Sequence, residues 1–103
     1  MIELKSVEQF DELVKGSKPV LVDFSATWCG PCRMLKPELE ELSEETNEFE
    51  IVSVDVDEFG VLAGRHNVNA VPTLFLYKEG KVLAVSAGYK PKASILKFVK
   101  EHL

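Results

Sequence analysis

The sequence has no apolar run of transmembrane length, no cluster of lysine and arginine, and no repeat or low-complexity segment. Without an 18-residue apolar stretch, a membrane-spanning helix is not expected. Lysine and arginine number 12 against 17 aspartates and glutamates, a net charge of −5, so a nucleic-acid partner is not expected either. The first ten residues, MIELKSVEQF, carry neither a basic start nor an apolar core, which reads as a leaderless, cytoplasmic chain. Cysteine is the most informative scarcity. Cys29 and Cys32 are the only two, too few for the disulfide framework of a small secreted scaffold. A zinc site needs four ligands, and neither a second cysteine pair nor a suitably spaced histidine pair is present. His66 and His102, the only histidines, are read as ordinary surface residues. The spacing therefore favours a redox pair over half of a metal site.

What is present supports one folded unit over residues 1–103, with 46% apolar and 28% charged residues. Ile2–Lys5 alternates as a strand does. Ser6 and Gln9 make a capping-box pattern ahead of a helix whose apolar face is Val7, Phe10, Leu13 and Val14, with Gly16 as its stop. Val20–Phe24 reads as a strand, and Arg33 to Glu45 as a helix bent at Pro37. Ile51–Val56 is a third strand. Asp57 is placed to cap a weak helix over Glu58–Arg65, and Asn67–Ala70 to form a loop. Thr73–Tyr77 and Val82–Ala87 flank a Glu79-Gly80 hairpin turn, and a last helix after Pro91 turns Ile95, Leu96, Phe98 and Val99 inward. Helices between strands imply parallel crossovers, and the hairpin adds an antiparallel pair. The expected architecture is α/β, three layers with a central mixed sheet.

Two cysteines three positions apart at a helix start lie on one face with Cα atoms roughly 5 Å apart, within disulfide range. Free N–H groups and the helix dipole there favour a thiolate. Cys29, first in the turn, gains most and is the expected nucleophile; Cys32, one turn in and more shielded, is the expected resolving thiol. Pro31 fits the first turn, where its missing N–H costs nothing. Asp23 points to the side of Leu21 and Ser25. On a covered central strand it is a desolvated proton exchanger; at a frayed strand end it is inert. The residues alone leave both open. Trp28 has small or polar neighbours, which favours an exposed contact beside Cys29.

Trp28-Cys29-Gly30-Pro31-Cys32 following VDFSAT resembles the active site of the thioredoxin family. The likeness extends to Pro37, Val71-Pro72-Thr73, the KEGK turn and Gly88, and so over essentially the whole chain. It implies the thioredoxin fold, a five-stranded mixed sheet flanked by four helices. It further implies a cis Pro72 facing the cysteines, with the Val71 backbone pairing to an extended substrate. Trp28, Gly30, Pro31, Val56, Ala70, Val71, Pro72 and Gly88 would form a shallow apolar groove, and Asp23 would be the buried proton acceptor beneath Cys32. Three positions depart from the family pattern. Ser53 stands where many members carry a lysine beside the buried aspartate, which leaves the desolvation of Asp23 less compensated. Ser25 stands where many bacterial members have a second tryptophan, and Gly60 replaces a common proline.

The implied activity is reduction of protein disulfides by dithiol–disulfide exchange, with the Cys29–Cys32 disulfide as the redox centre and no bound cofactor or metal. Because the chain lacks a G-x-G-x-x-G fingerprint, a separate thioredoxin reductase is the expected electron source. A small chain with a shallow groove is expected to be a monomer. Two rivals share these features: a disulfide oxidase or isomerase on the same fold, and a redox-silent binding subunit. Gly30-Pro31 between the cysteines is associated with reducing members, and an intact pair beside Asp23 argues for turnover.

Overall fold

The apolar run at Val20–Ser25 becomes the middle strand of a five-stranded sheet in a computed structural model describing residues 1–103. In chain order the elements are β1 (Ile2–Glu3), α1 (Val7–Lys15), β2 (Val20–Ser25), α2 (Gly30–Glu45) and β3 (Glu50–Asp55). They continue as α3 (Gly60–Arg65), β4 (Thr73–Lys78), β5 (Lys81–Ala87) and α4 (Lys92–His102). The strand order is β1-β3-β2-β4-β5, parallel through β1, β3 and β2 and antiparallel at β4 and β5. This is the mixed sheet with four helices that the sequence predicts.

Strand alternation divides the core between the two faces. Val20, Val22 and Phe24 pack with Phe10 and Val14 of α1 and Leu62 of α3. Leu21 points the other way, into Leu35, Leu39 and Leu42 of α2 and Ile95, Phe98 and Val99 of α4. With β3 on one side and β4 on the other, β2 is closed at both edges and both faces. Asp23 is therefore carried into the interior by its neighbours' burial, not by any affinity of its own.

Local chemistry sets most boundaries. The Ser6 hydroxyl accepts the Gln9 N–H at 3.1 Å and caps α1. The Gln9 side chain takes the N–H of Lys5 at 2.7 Å, one residue earlier than a capping box requires. Glu79 and Gly80 both have positive φ (52° and 81°), as a tight hairpin turn demands, and their N–H groups bond Gly16 O and Val14 O at the end of α1.

Four expectations are corrected. Strand β1 ends at Glu3 rather than Lys5, although the Leu4 N–H still bonds Ser53 O at 3.1 Å. Helix α2 begins at Gly30, three residues before Arg33, because Cys29 itself serves as N-cap; Pro37 lies inside it. Helix α3 begins at Gly60, with Phe59 at its N-cap position and no side-chain cap. Asp57 does not cap it: its carboxylate accepts the Trp28 indole N–H at 2.9 Å, while Asp55 Oδ1 takes the N–H groups of Asp57 and Glu58. Lastly, His66 is no surface residue. Its ring packs against Phe10, Phe24, Phe75 and Tyr77, and Nδ1 donates to Leu62 O at 2.8 Å. That tautomer leaves Nε2 to accept the Tyr77 hydroxyl at 2.5 Å.

Candidate active site

Strand β2 ends at Ser25, and four residues later the chain enters α2 with Cys29 at the N-cap. The helical turn brings Cys29 and Cys32 to a Cα–Cα distance of 5.2 Å, and they are joined as a disulfide. The Cys32 N–H points at Cys29 Sγ at 3.2 Å. Cys29 thus occupies the position where a side-chain acceptor ordinarily satisfies an orphan amide of the first turn. A sulfur there receives a hydrogen bond and the positive end of the helix dipole, both of which favour negative charge on it. Both cysteines are covered in the oxidised form, Cys32 at 2% exposure slightly more than Cys29 at 5%.

Distant segments complete the surroundings of Cys29. The Val71–Pro72 peptide bond is cis, and Cys29 Sγ lies 3.6 Å from Val71 O. A disulfide sulfur has no proton to donate, so in this state the approach is a contact; a reduced Cys29 thiol could use it as a hydrogen bond. The loop is braced by Thr73 Oγ1 donating to Ala70 O at 2.7 Å and by the Gly88 N–H to Pro72 O at 2.8 Å. Gly88 has φ +91°, which excludes an ordinary side chain without strain.

Trp28 is 66% exposed yet held by its bond to Asp57. Together with Val56, Val68, Asn69, Ala70 and Val71 it lines a depression of about 210 Å³ beside the disulfide. Val68 and Asn69 were not legible as groove residues in the sequence, where they read only as loop. Gly30, Pro31, Pro72 and Gly88 do not line this depression.

Asp23 is 2% exposed, and its Oδ1 is buried without a hydrogen-bond partner. Burial, and secondarily the charge of Glu3, pushes the carboxyl up from its ordinary 3.8 to about 7. Its register neighbours are Ser53 on β3 and Leu74 on β4, so no cation flanks it in the sheet. A second recess, of about 310 Å³, is lined by Cys32, Ser25, Ser53, Glu3 and Lys36 among others. No group of three or more histidine, cysteine or acidic side chains is arranged to hold a metal ion. No helix is long and apolar enough to cross a membrane.

Comparison with known proteins agrees with this geometry. The thioredoxin family model matches residues 1–101. The thioredoxin of Bacillus subtilis is 41% identical over the full length of both chains. A bifunctional thioredoxin reductase/thioredoxin of Mycobacterium leprae is 40% identical over 93% of this chain and 21% of its own length. Among solved structures, a mutant thioredoxin from Halobacterium salinarum superposes with a TM-score of 0.90 at 32% identity, covering 98% of this chain and 88% of that one. A match running the length of the sequence, on a fold that holds an oxidised cysteine pair at a helix start, settles the family: this chain belongs to the thioredoxins and is a protein thiol–disulfide oxidoreductase.

Proposed function

We propose that the chain, acting as one unit over residues 1–103, reduces protein disulfides with unequal roles for its cysteines. The observation that carries this is the Cys32 N–H directed at Cys29 Sγ at the start of α2. The Cys29 thiolate attacks one sulfur of a substrate disulfide; the substrate S–S bond breaks and its electron pair leaves on the other substrate sulfur. A mixed disulfide between Cys29 and substrate remains. Cys32 then gives its proton to the Asp23 carboxylate and attacks Cys29 Sγ, expelling the second substrate thiolate. Two electrons have moved to the substrate, whose thiolates take up two protons, and the Cys29–Cys32 disulfide is left.

Substrate binding is assigned to the apolar depression around Trp28 and Val71, extended by Gly30, Pro31, Pro72 and Gly88. The proximity of Val71 O to Cys29 Sγ supports pairing of an extended substrate backbone at Val71. A thioredoxin reductase is the proposed electron source. The Mycobacterium leprae relative, which by its name joins reductase and thioredoxin in one chain, supports that pairing. The protein is proposed to work as a cytoplasmic monomer without a bound cofactor.

Insulin reduction driven by dithiothreitol tests this reading. The protein is expected to accelerate precipitation of the reduced insulin chain, and the Cys29→Ser, Cys32→Ser double variant to give none. An inactive wild-type protein would contradict the assignment. Titration against glutathione checks the direction: the pair is expected to stay oxidised until reduced glutathione is in large excess. Ready reduction by a small amount of it, the mark of an oxidising potential, would place the chain among oxidases.

A further inference from the structure

Glu3, Ser53 and Asp23 stand in one lateral row across β1, β3 and β2, since Glu3 registers with Ser53 and Ser53 with Asp23. Residues aligned across a sheet project to the same face. That face is the one α2 covers, because Leu21, which shares Asp23's side, packs on Leu35 and Leu39. Along the row exposure falls from Glu3 (exposed) through Ser53 (half-buried) to Asp23 (buried). Serine at the middle position leaves space there: Glu3, Ser53, Cys32 and Lys36 line one recess of about 310 Å³. Lys36 reaches down from α2 to bring its Nζ within 3.7 Å of Glu3 Oε1.

We propose that Glu3 and Lys36 are opposed positioning residues for proton transfer at Asp23, Glu3 favouring the protonated carboxyl and Lys36 the carboxylate. The proposal rests on the reading of Asp23 as proton acceptor. Two further charged groups line the recess, Asp55 and Arg33, each fixed by bonds to backbone groups and each present unchanged in both variants below. Asp55 on β3 is held by the N–H groups of Asp57 and Glu58, and Arg33 on α2 donates to Thr27 O at 2.9 Å. Cys32 carries no charge in the disulfide. The β4 neighbour Leu74 and the α4 residues Ile95, Phe98 and Val99 on this face are apolar. Of the charged groups in the recess, Glu3 is the one in the lateral row with Asp23, and Lys36 is the cation paired with it. Two strand spacings separate Glu3 from Asp23, roughly 10 Å, near enough for a charge at a partly solvated margin to act. The raised proton affinity of Asp23, to which Glu3 contributes after burial, agrees in sign with the part assigned to Glu3; the part assigned to Lys36 rests on its pairing with Glu3.

The two variants Glu3→Gln and Lys36→Met separate this arrangement from a structural one, because it requires opposite signs. Each partner is more than half exposed, so neither variant endangers the fold. Carbon NMR titration of the Asp23 carboxyl in the oxidised protein is expected to move down in Glu3→Gln and up in Lys36→Met. Each displacement is expected to lie between a few tenths and about one pH unit at low salt, and to shrink in about 0.5 M salt. The pH profile of mixed-disulfide resolution, followed by stopped flow, is expected to move with the titration. Unmoved midpoints, or both moving the same way, would overturn the proposal. Midpoints that move as expected while the resolution profile stays fixed would uphold the electrostatic coupling and instead remove Asp23 as acceptor.

Discussion

Asp23 is the residue whose environment most shapes its chemistry. It has no cationic neighbour in the sheet and one carboxylate oxygen without a partner, so solvent exclusion acts on it nearly uncompensated. A carboxyl that titrates near 7 can take a proton from a thiol without holding it permanently, the condition for efficient exchange at neutral pH. Asp23→Asn is expected to leave the attack by Cys29 largely unchanged and to slow resolution by Cys32 on the order of a hundredfold. In the wild-type protein resolution should rise with pH through about 7 and then level, as the acceptor becomes ionised. Stopped-flow measurement of substrate release would show both; equal slowing of the two steps would indicate damage to the site rather than loss of a base. The sequence placed this side chain on the correct side of its strand, because period-2 alternation is a local property. Its burial is not local: it depends on β3 and β4 closing over β2, which needed the family resemblance or the structure to establish.

Among the elements, the helix starts show what local sequence can and cannot decide. Ser6 caps α1 as its spacing to Gln9 predicts, since donor and acceptor are neighbours in the chain. Asp57 looks equally suited to cap the next short helix, but that helix has Phe59 at its N-cap, two residues further on. The Asp57 carboxylate accepts the indole N–H of Trp28, distant in sequence. The Asp55 carboxylate instead holds the turn before α3 through two N–H groups. Ser6→Ala and Asp55→Ala are each expected to cost about 1 kcal/mol of stability, measured by urea unfolding. No loss in Asp55→Ala would mean that the turn stands without its side-chain bonds. Helix α2 also begins earlier than its apolar pattern shows. Its first turn is built from Gly30, Pro31 and Cys32, residues suited to the chemistry rather than to helix propensity, and so the periodic signal starts only after it. The same holds for Val68 and Asn69, whose place in the depression beside the disulfide comes from the path of a loop with no pattern to read.

For the molecule as a whole, the two apolar layers supply the stability and Asp23 opposes it. The folded chain keeps the Asp23 proton up to about pH 7, whereas the unfolded chain releases it near 3.8. Between these values the folded state binds the extra proton, so this contribution makes stability fall as pH rises and is fully lost above about 7. The cost of holding the ionised carboxyl is on the order of 4 kcal/mol. Urea unfolding of the oxidised protein at about pH 5 and about pH 8 is expected to show wild type losing stability relative to Asp23→Asn across that interval. A constant difference would mean that Asp23 ionises as freely in the fold as outside it. The fold thus keeps a destabilising group at the centre of its sheet, beside the helix that carries the cysteines.

That placement has a purpose only if the cysteines act in sequence, Cys29 first and Cys32 second. The direct measurement is to incubate Cys32→Ser and Cys29→Ser separately with a disulfide-bonded protein substrate and to map the adducts by mass spectrometry. A stable mixed disulfide is expected on Cys29 in Cys32→Ser, with little or no adduct on Cys32 in Cys29→Ser. An adduct that forms as readily on Cys32 would contradict that order.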